Sequence, residues 1–128
     1  MGQQYLIDSN AVIDYLSGKL PVKGMSFMNQ VINDIPNISV MTKIEVLGYK
    51  TITEAYQLLT GFVGDSVVFG LTDDIVEQTI EIRKEYKLKT PDAIIAATAL
   101  ENSLTLISRN AKDFKNISGL DIINPSEL

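Results

Sequence analysis

The chain has 128 residues, 45% hydrophobic and 21% charged, a composition that fits one globular domain and argues against wholesale disorder. It contains neither cysteine nor histidine, which excludes disulfides, thiolate zinc sites, cysteine nucleophiles, Ser-His-Asp chemistry and imidazole bases. Sixteen acidic residues against eleven basic ones leave a net charge of −5, the wrong sign for a protein that coats nucleic acid by bulk charge. Hydrolytic chemistry on this chain must therefore use carboxylates, hydroxyls, amides, Lys or Arg. The N-terminus MGQQYLIDSN lacks the basic region and long apolar run of a signal peptide, and no apolar stretch approaches the ~18 residues of a membrane span. The expectation is a soluble, cytoplasmic protein.

Tyr5-Leu6-Ile7 reads as a buried strand running into a helix N-cap at Asp8-Ser9-Asn10. Ala11, Val12, Tyr15 and Leu16 then recur at helical spacing up to Ser17-Gly18. A second helix is predicted from about Gly24 to Asn33, burying Met25, Met28, Val31 and Ile32. Ile38-Ser39-Val40 is strand-like, and Thr42 followed by Glu45 has the capping-box form, with a helix reaching about Tyr49. Thr53 starts another helix, with Ala55, Leu58, Leu59 and Phe62 inward and Gly64 at its end. Ser66 to Phe69 is a third strand. Thr72-Asp73-Asp74 opens the longest helix, acids in its first turn as the helix dipole favours, with Ile75, Val76, Thr79, Ile80, Arg83 and Tyr86 along its inner face and end. Thr90-Pro91-Asp92 starts a further helix, Thr90 as cap and Pro91 at the first position, and Ala93 to Leu100 is almost wholly apolar. Leu104 to Ile107 and Asp121 to Ile123 are the last two strands. Strands alternating with helices favour an α/β domain with a mainly parallel sheet.

In such a sheet ligands bind beyond the carboxyl ends of the strands. Asp8 follows the first strand, Glu45 lies on the helix after the second, Asp92 opens the apolar helix, and Ser108 to Phe114 follows the fourth strand. Each has an ordinary structural reading. Asp8 suits a helix cap, Glu45 the Thr42 capping box, Asp92 the positive end of a helix dipole, and the last segment a polar loop. Asp92 is the most suggestive, because a carboxylate at the mouth of a buried helix is costly without a cation or hydrogen-bond donors. Several carboxyl and amide groups at one sheet end would repel one another without a cation, and hard oxygen ligands suit Mg²⁺ or Mn²⁺.

The segments Leu6 to Asn10, Ser39 to Glu45, Thr90 to Ala99 and Leu106 to Phe114 resemble, in order, the four signature blocks of PIN-domain ribonucleases, and among them the VapC-type toxins of toxin–antitoxin systems. The tail Gly119 to Pro125 is similar to the family's last strand, so the likeness covers essentially the whole chain as a single domain, residues 1–128. The resemblance implies a three-layer α/β/α fold with a mainly parallel sheet of about five strands. It also implies Mg²⁺-dependent endonucleolytic cleavage of RNA, an antitoxin partner and a homodimer. By position Asp8, Glu45 and Asp92 match the family's acidic metal site, and Ser9 or Ser108 a small polar neighbour. Asn110 falls where many members have a fourth acid, with Asp113 three residues on. Asn110, nearer the strand end, is expected to face inward ahead of Asp113.

The chemistry is self-consistent, since metal-activated water needs no imidazole. Asp8 and Asp92 would ligate the metal directly, and Glu45 would act through water. Water as nucleophile leaves a 5′-phosphate and a 3′-hydroxyl. Lys43, Arg109, Lys112 and Lys115 are candidates for a local phosphate track, while Asp73, Asp74, Glu77, Glu81 and Glu85 form a solvated acidic face. Tyr49, Tyr56 and Phe62 are candidate interface aromatics or core residues. Two other classes fit less well. A receiver-like phosphoacceptor normally pairs two acids after its first strand, where this chain has Asp8-Ser9-Asn10, and an inactive PIN-like binding module would not require Asp8, Glu45 and Asp92.

Overall fold

In a computed structural model describing residues 4–128, the chain runs β1 (Tyr5–Ile7), α1 (Ser9–Leu16), α2 (Val22–Asn33), β2 (Asn37–Ser39), α3 (Val40–Leu47), α4 (Thr53–Gly64) and β3 (Val67–Phe69). It continues through α5 (Asp73–Glu85), α6 (Thr90–Glu101), β4 (Thr105–Ile107), α7 (Ala111–Phe114), β5 (Ile122–Ile123) and a closing 3₁₀ turn, Pro125–Glu127. Every strand pairing is parallel. The expected five strands are present, but they form two ladders, β1-β4-β5 and β2-β3. The strands are only two or three residues long. Where β2 packs beside β1, a side chain bridges them: Asn37 Nδ2 donates to the Tyr5 carbonyl at 3.0 Å.

Side chains alternate across a strand, and this divides the core into two layers. Leu6 and Leu106 enter one cluster, with Ile75 and Ile82 of α5, Ala93, Ile95 and Ala96 of α6, and Phe114. Ile7 and Ile107 enter the other, with Val12 of α1, Met28 of α2, Val46 of α3 and Phe62 of α4. The result is the α/β/α sandwich expected. The alanines of α6 let α5 lie close against it. The hydroxyl of buried Thr98 is satisfied within the helix, donating to the Ile94 carbonyl at 2.7 Å. Gly24 sits inside α2 because a Cβ there would stand 2.2 Å from the Pro125 carbonyl oxygen of the closing turn.

Four local expectations are corrected. Ser39, not Thr42, caps α3: its hydroxyl accepts the Thr42 N–H at 3.1 Å, so the helix begins at Val40 and ends at Leu47. Lys89 occupies the cap position of α6 and Thr90 is already helical. The inner face of α5 runs through Ile75, Thr79 and Ile82, leaving Val76 and Ile80 outside. In α4 the buried set is Leu59, Phe62 and Val63, with Leu58 exposed. The acidic face of α5 is solvated as expected, Glu81 meeting Lys84 at 3.4 Å in solvent.

Asn37→Asp places a carboxylate where an amide N–H met the Tyr5 carbonyl. Loss of that bond beside a partly buried acceptor is expected to cost about 1–3 kcal/mol. Urea unfolding should show a lower midpoint at an unchanged slope. An unchanged midpoint would mean that the two ladders are joined by other contacts alone.

Candidate active site

A helix that leads into a strand of a parallel sheet runs against it, so its N-terminus lies at the strands' carboxyl end. This brings Asp92 of α6 to the same edge as Asp8, the residue after β1, and Ser108, the residue after β4. Asp8 is buried. Its Oδ1 accepts the Ser9 N–H at 2.8 Å, and its Oδ2 accepts the Ser108 hydroxyl at 2.8 Å and Asn10 Nδ2 at 3.3 Å. The helix cap expected from the sequence is therefore present, but it uses one oxygen only, and the other is held by a residue one hundred positions away. Ser108 is fully buried and also accepts the Asn110 N–H at 3.0 Å.

Because Ser39 caps α3, Glu45 is free of any capping duty. It stands exposed on the second turn, where its Oε1 accepts the Ser9 hydroxyl at 2.8 Å. That hydroxyl lies 3.3 Å from Asp8 Oδ1, so Ser9 spans the two carboxylates. Two of the residues taken from the sequence as small polar neighbours, Ser9 and Ser108, both touch Asp8.

Electrostatics ties the remaining acids to this edge. Burial pushes the half-buried Asp92 carboxyl above its ordinary value, and the negative charges of Asp8, Glu45 and Asp113 push it further, while Lys89 pulls it back. Burial also raises Asp8, against the hydrogen bonds from Ser108, Ser9 and Asn10 that favour its charged form. Asp113 lies in α7, and its charge acts on Asp92. Asn110 is exposed at the N-cap of α7 and gives the network its backbone N–H. Asn110, being neutral, adds no charge to Asp92, whereas Asp113 does.

Among the described residues no three carboxylates approach closely enough to cage a metal ion as they stand. The donor set nonetheless suits a hard cation: the charges of several carboxylates reach Asp92, offset among the described residues by Lys89.

The cations taken as a phosphate track separate. Arg109, Lys112 and Lys115 line a groove of about 600 Å³ beside Asp113 and the closing turn. Arg109 is not free, since its Nη1 lies 3.1 and 3.0 Å from the two oxygens of buried Asp14. Lys43 is exposed on α3. Sequence reasoning missed Asn10, Asp14 and Lys89. Asn10 and Asp14 were legible only as polar positions one turn apart on an otherwise apolar helix, and Lys89 only as the residue before Thr90-Pro91-Asp92.

An acid whose folded-state value is raised binds more protons in the folded chain, so stability falls as pH climbs above the ordinary value of 3.8. Asp92→Asn removes that loss. In metal-free buffer at pH 7 the variant should melt a few degrees higher than wild type, and the gain should vanish as pH falls below the ordinary carboxylate range. A lower melting temperature at pH 7 would mean that the helix-terminus contribution of Asp92 outweighs the repulsion.

Comparison with known proteins identifies the family and the fold. Residues 5–120 match the PIN domain family. A toxin–antitoxin complex from Klebsiella pneumoniae contains a chain 34% identical, with a TM-score of 0.74 over 95% of this chain and 98% of that one. DNA-bound VapBC from Salmonella typhimurium gives 20% identity and a TM-score of 0.80, covering 97% of this chain and 99% of that one. FitAcB from Neisseria gonorrhoeae gives 18% and 0.77, covering 98% and 100%, and these two are likenesses of fold. No curated protein matches the sequence. The matched span begins at β1 and takes in Asp8, Glu45, Asp92 and Asp113, and the chain belongs to the PIN-domain family.

Proposed function

We propose that the chain is a Mg²⁺-dependent endoribonuclease, the VapC-type toxin of a toxin–antitoxin pair. The observation that carries the reading is the convergence of Asp8, Glu45 and Asp113 on Asp92 at the carboxyl edge of a PIN-family sheet. Asp8 and Asp92 would hold the cation directly, with Mn²⁺ able to replace Mg²⁺. Glu45, steadied by Ser9, would act through water or orient the attacking water. Asp113 supplies the fourth carboxylate. When bound, the cation supplies a lowered pKa for the attacking water and offsets the charge gathering on the phosphate. Ser108, Ser9 and Asn10 favour the charged form of Asp8 against the burial that raises it, and they fix its direction. Lys112 and Lys115, on the groove beside Asp113, offer charges to the RNA backbone. Attack by water leaves a 5′-phosphate and a 3′-hydroxyl.

The partners follow the same reading. Ile44, Ile52 and Leu58 are exposed along α3 and α4 together with Tyr49 and Tyr56, while Phe62 is core. This apolar surface supports a homodimer, and the relative that is 34% identical is part of a toxin–antitoxin complex, which supports a cognate antitoxin. Among the described residues no helix is long and apolar enough to cross a membrane, in keeping with a cytoplasmic toxin.

Purified protein is expected to cut RNA with Mg²⁺ and not with EDTA, leaving 5′-phosphate and 3′-hydroxyl ends that an RNA ligase joins directly and that phosphatase treatment blocks. Asp8→Asn and Asp92→Asn should each abolish cleavage. Undiminished cleavage by either variant, or products with a 2′,3′-cyclic end, would sink the mechanism. A chain that binds RNA without any turnover would instead be a binding module.

The fourth position has its own test. Asp113→Ala should lower cleavage at limiting Mg²⁺ by about tenfold or more, the scale on which partners of a metal site act. Asn110→Asp should shift the Mg²⁺ requirement less. If Asn110→Asp lowers the requirement strongly and Asp113→Ala is silent, Asn110 fills the position.

A further inference from the structure

Residue 109 is held through its N–H, its carbonyl and its guanidinium by α1 and by Asn124, the residue after β5. Its N–H donates to Asn10 Oδ1 at 2.9 Å, and its carbonyl accepts Asn124 Nδ2 at 3.2 Å. Its guanidinium reaches Asp14 through Nη1, 3.1 and 3.0 Å from the two carboxylate oxygens. Asn10 and Asp14 are four residues apart, one turn of α1, and so share a face. One side of a single helix therefore holds both the main chain and the side chain of Arg109. The residue immediately before, Ser108, donates its hydroxyl to Asp8 Oδ2 at 2.8 Å, and Asn10 reaches the same oxygen at 3.3 Å.

The ion pair is an uneconomical way to fill space. The Asp14 side chain is 8% exposed and the Arg109 side chain 54%. Asp14 sits on a helix that buries Ala11 and Val12, where an apolar residue would serve packing as well. A buried carboxylate costs desolvation that its partner returns only in part, and such pairs are often no more stabilising than apolar replacements. What the pair supplies that an apolar residue would not is direction. It fixes the loop after β4 relative to α1, hence Ser108 relative to Asp8.

We propose that Asp14 and Arg109 are positioning residues, a latch between α1 and the loop after β4 that holds the Ser108 hydroxyl on Asp8. The inference rests on the reading of Asp8 as a metal ligand. It also reassigns Arg109. With Nη1 committed to Asp14, its principal task is to orient the loop, not to bind substrate phosphate.

The test separates metal binding from RNA binding. Mg²⁺ is titrated against the wild-type protein in the absence of RNA, followed by melting temperature and by calorimetry, and kcat and KM for RNA are measured at saturating Mg²⁺. Asp14→Asn is close to isosteric, and its melting temperature in EDTA reports folding. It is expected to raise the Mg²⁺ concentration for half-saturation about three- to tenfold, at or below the range seen when orienting partners of metal ligands are changed. It should lower kcat and leave KM within about twofold. Arg109→Lys keeps the charge but not the reach, so it should behave like Asp14→Asn. The double variant should be no worse than the poorer single one, since both break one contact. A rise in KM with unchanged Mg²⁺ binding for the Arg109 variants would make Arg109 a phosphate contact and overturn the latch. A lowered melting temperature in EDTA with unchanged Mg²⁺ binding and kcat would reduce the pair to a stabilising one and overturn it also. If the wild type shows no response to Mg²⁺, the metal reading itself fails and the latch falls with it.

Discussion

Mutual repulsion of carboxylates at one edge of a parallel sheet is the constraint around which this domain is arranged. Burial is the largest cost to the charge of Asp92, and Asp8, Glu45 and Asp113 all add to it. An apolar core cannot hold such groups by itself, so each is steadied by a neutral donor or an adjacent helix. Ser108, Ser9 and Asn10 surround Asp8, and Ser9 extends the same network to Glu45. Asp92 has the N-terminal turn of α6, whose partial positive charge favours an anion, and the nearby charge of Lys89. Neutral donors direct a carboxylate without neutralising it. The edge is therefore left negative, which is the state from which a divalent cation gains most.

The elements were legible in the sequence because the two periodicities are clean. Buried runs such as Leu104 to Ile107 mark strands, and the helices carry their own stops. Helix beginnings were less legible. Ser39 and Thr42 are both good caps, and from sequence the Thr42–Glu45 spacing is the better-known pattern. Only the fold shows that β2 ends at Ser39, so that its hydroxyl takes the cap and releases Glu45. The inner face of α5 was misread for a related reason. Val76 and Ile80 continue the apolar stripe, but α6 covers only part of it, so Ile82 is buried and they are not. Asp8 and Asp92 each had an ordinary reading as a helix cap or a helix-dipole partner, and became legible as candidates because several acids follow separate strands of one sheet. Asp14 and Asn37 were not. Each works through a partner, Arg109 or the Tyr5 carbonyl, that lies 95 or 32 positions away and leaves no local signal.

The net charge of −5 bears on substrate handling more than on folding. A polyanion approaching this surface meets the acidic face of α5 as a solvated repulsive region. The groove lined by Lys112 and Lys115 lies beside Asp113. Neutralisation of Arg109 by Asp14 removes one of the cations that the sequence had offered to the phosphates. On the proposed reading long-range steering of RNA is therefore modest, and its selection would rest on short-range shape and on the charge of a bound cation.

Stability and affinity for the cation are consequently two expressions of one arrangement. Burial, which raises both the Asp8 and the Asp92 values, and the neighbouring negative charges that add to it at Asp92 subtract from folding in metal-free solution at neutral pH. A cation that binds only the folded chain returns that energy and adds its own by mass action. On the proposed reading protons and metal would compete for the same oxygens, so acid would protect the metal-free fold while weakening the metal site. The direction of Asp8 must survive both states, because a ligand that swings when the cation leaves would have to be reordered at each binding event. The hydrogen bonds from Ser108 and Asn10 come from a buried strand end and from a helix. Preorganisation of that kind requires the loop after β4 to stay fixed against α1, and the contacts made by Arg109 with Asn10 and Asp14 supply it.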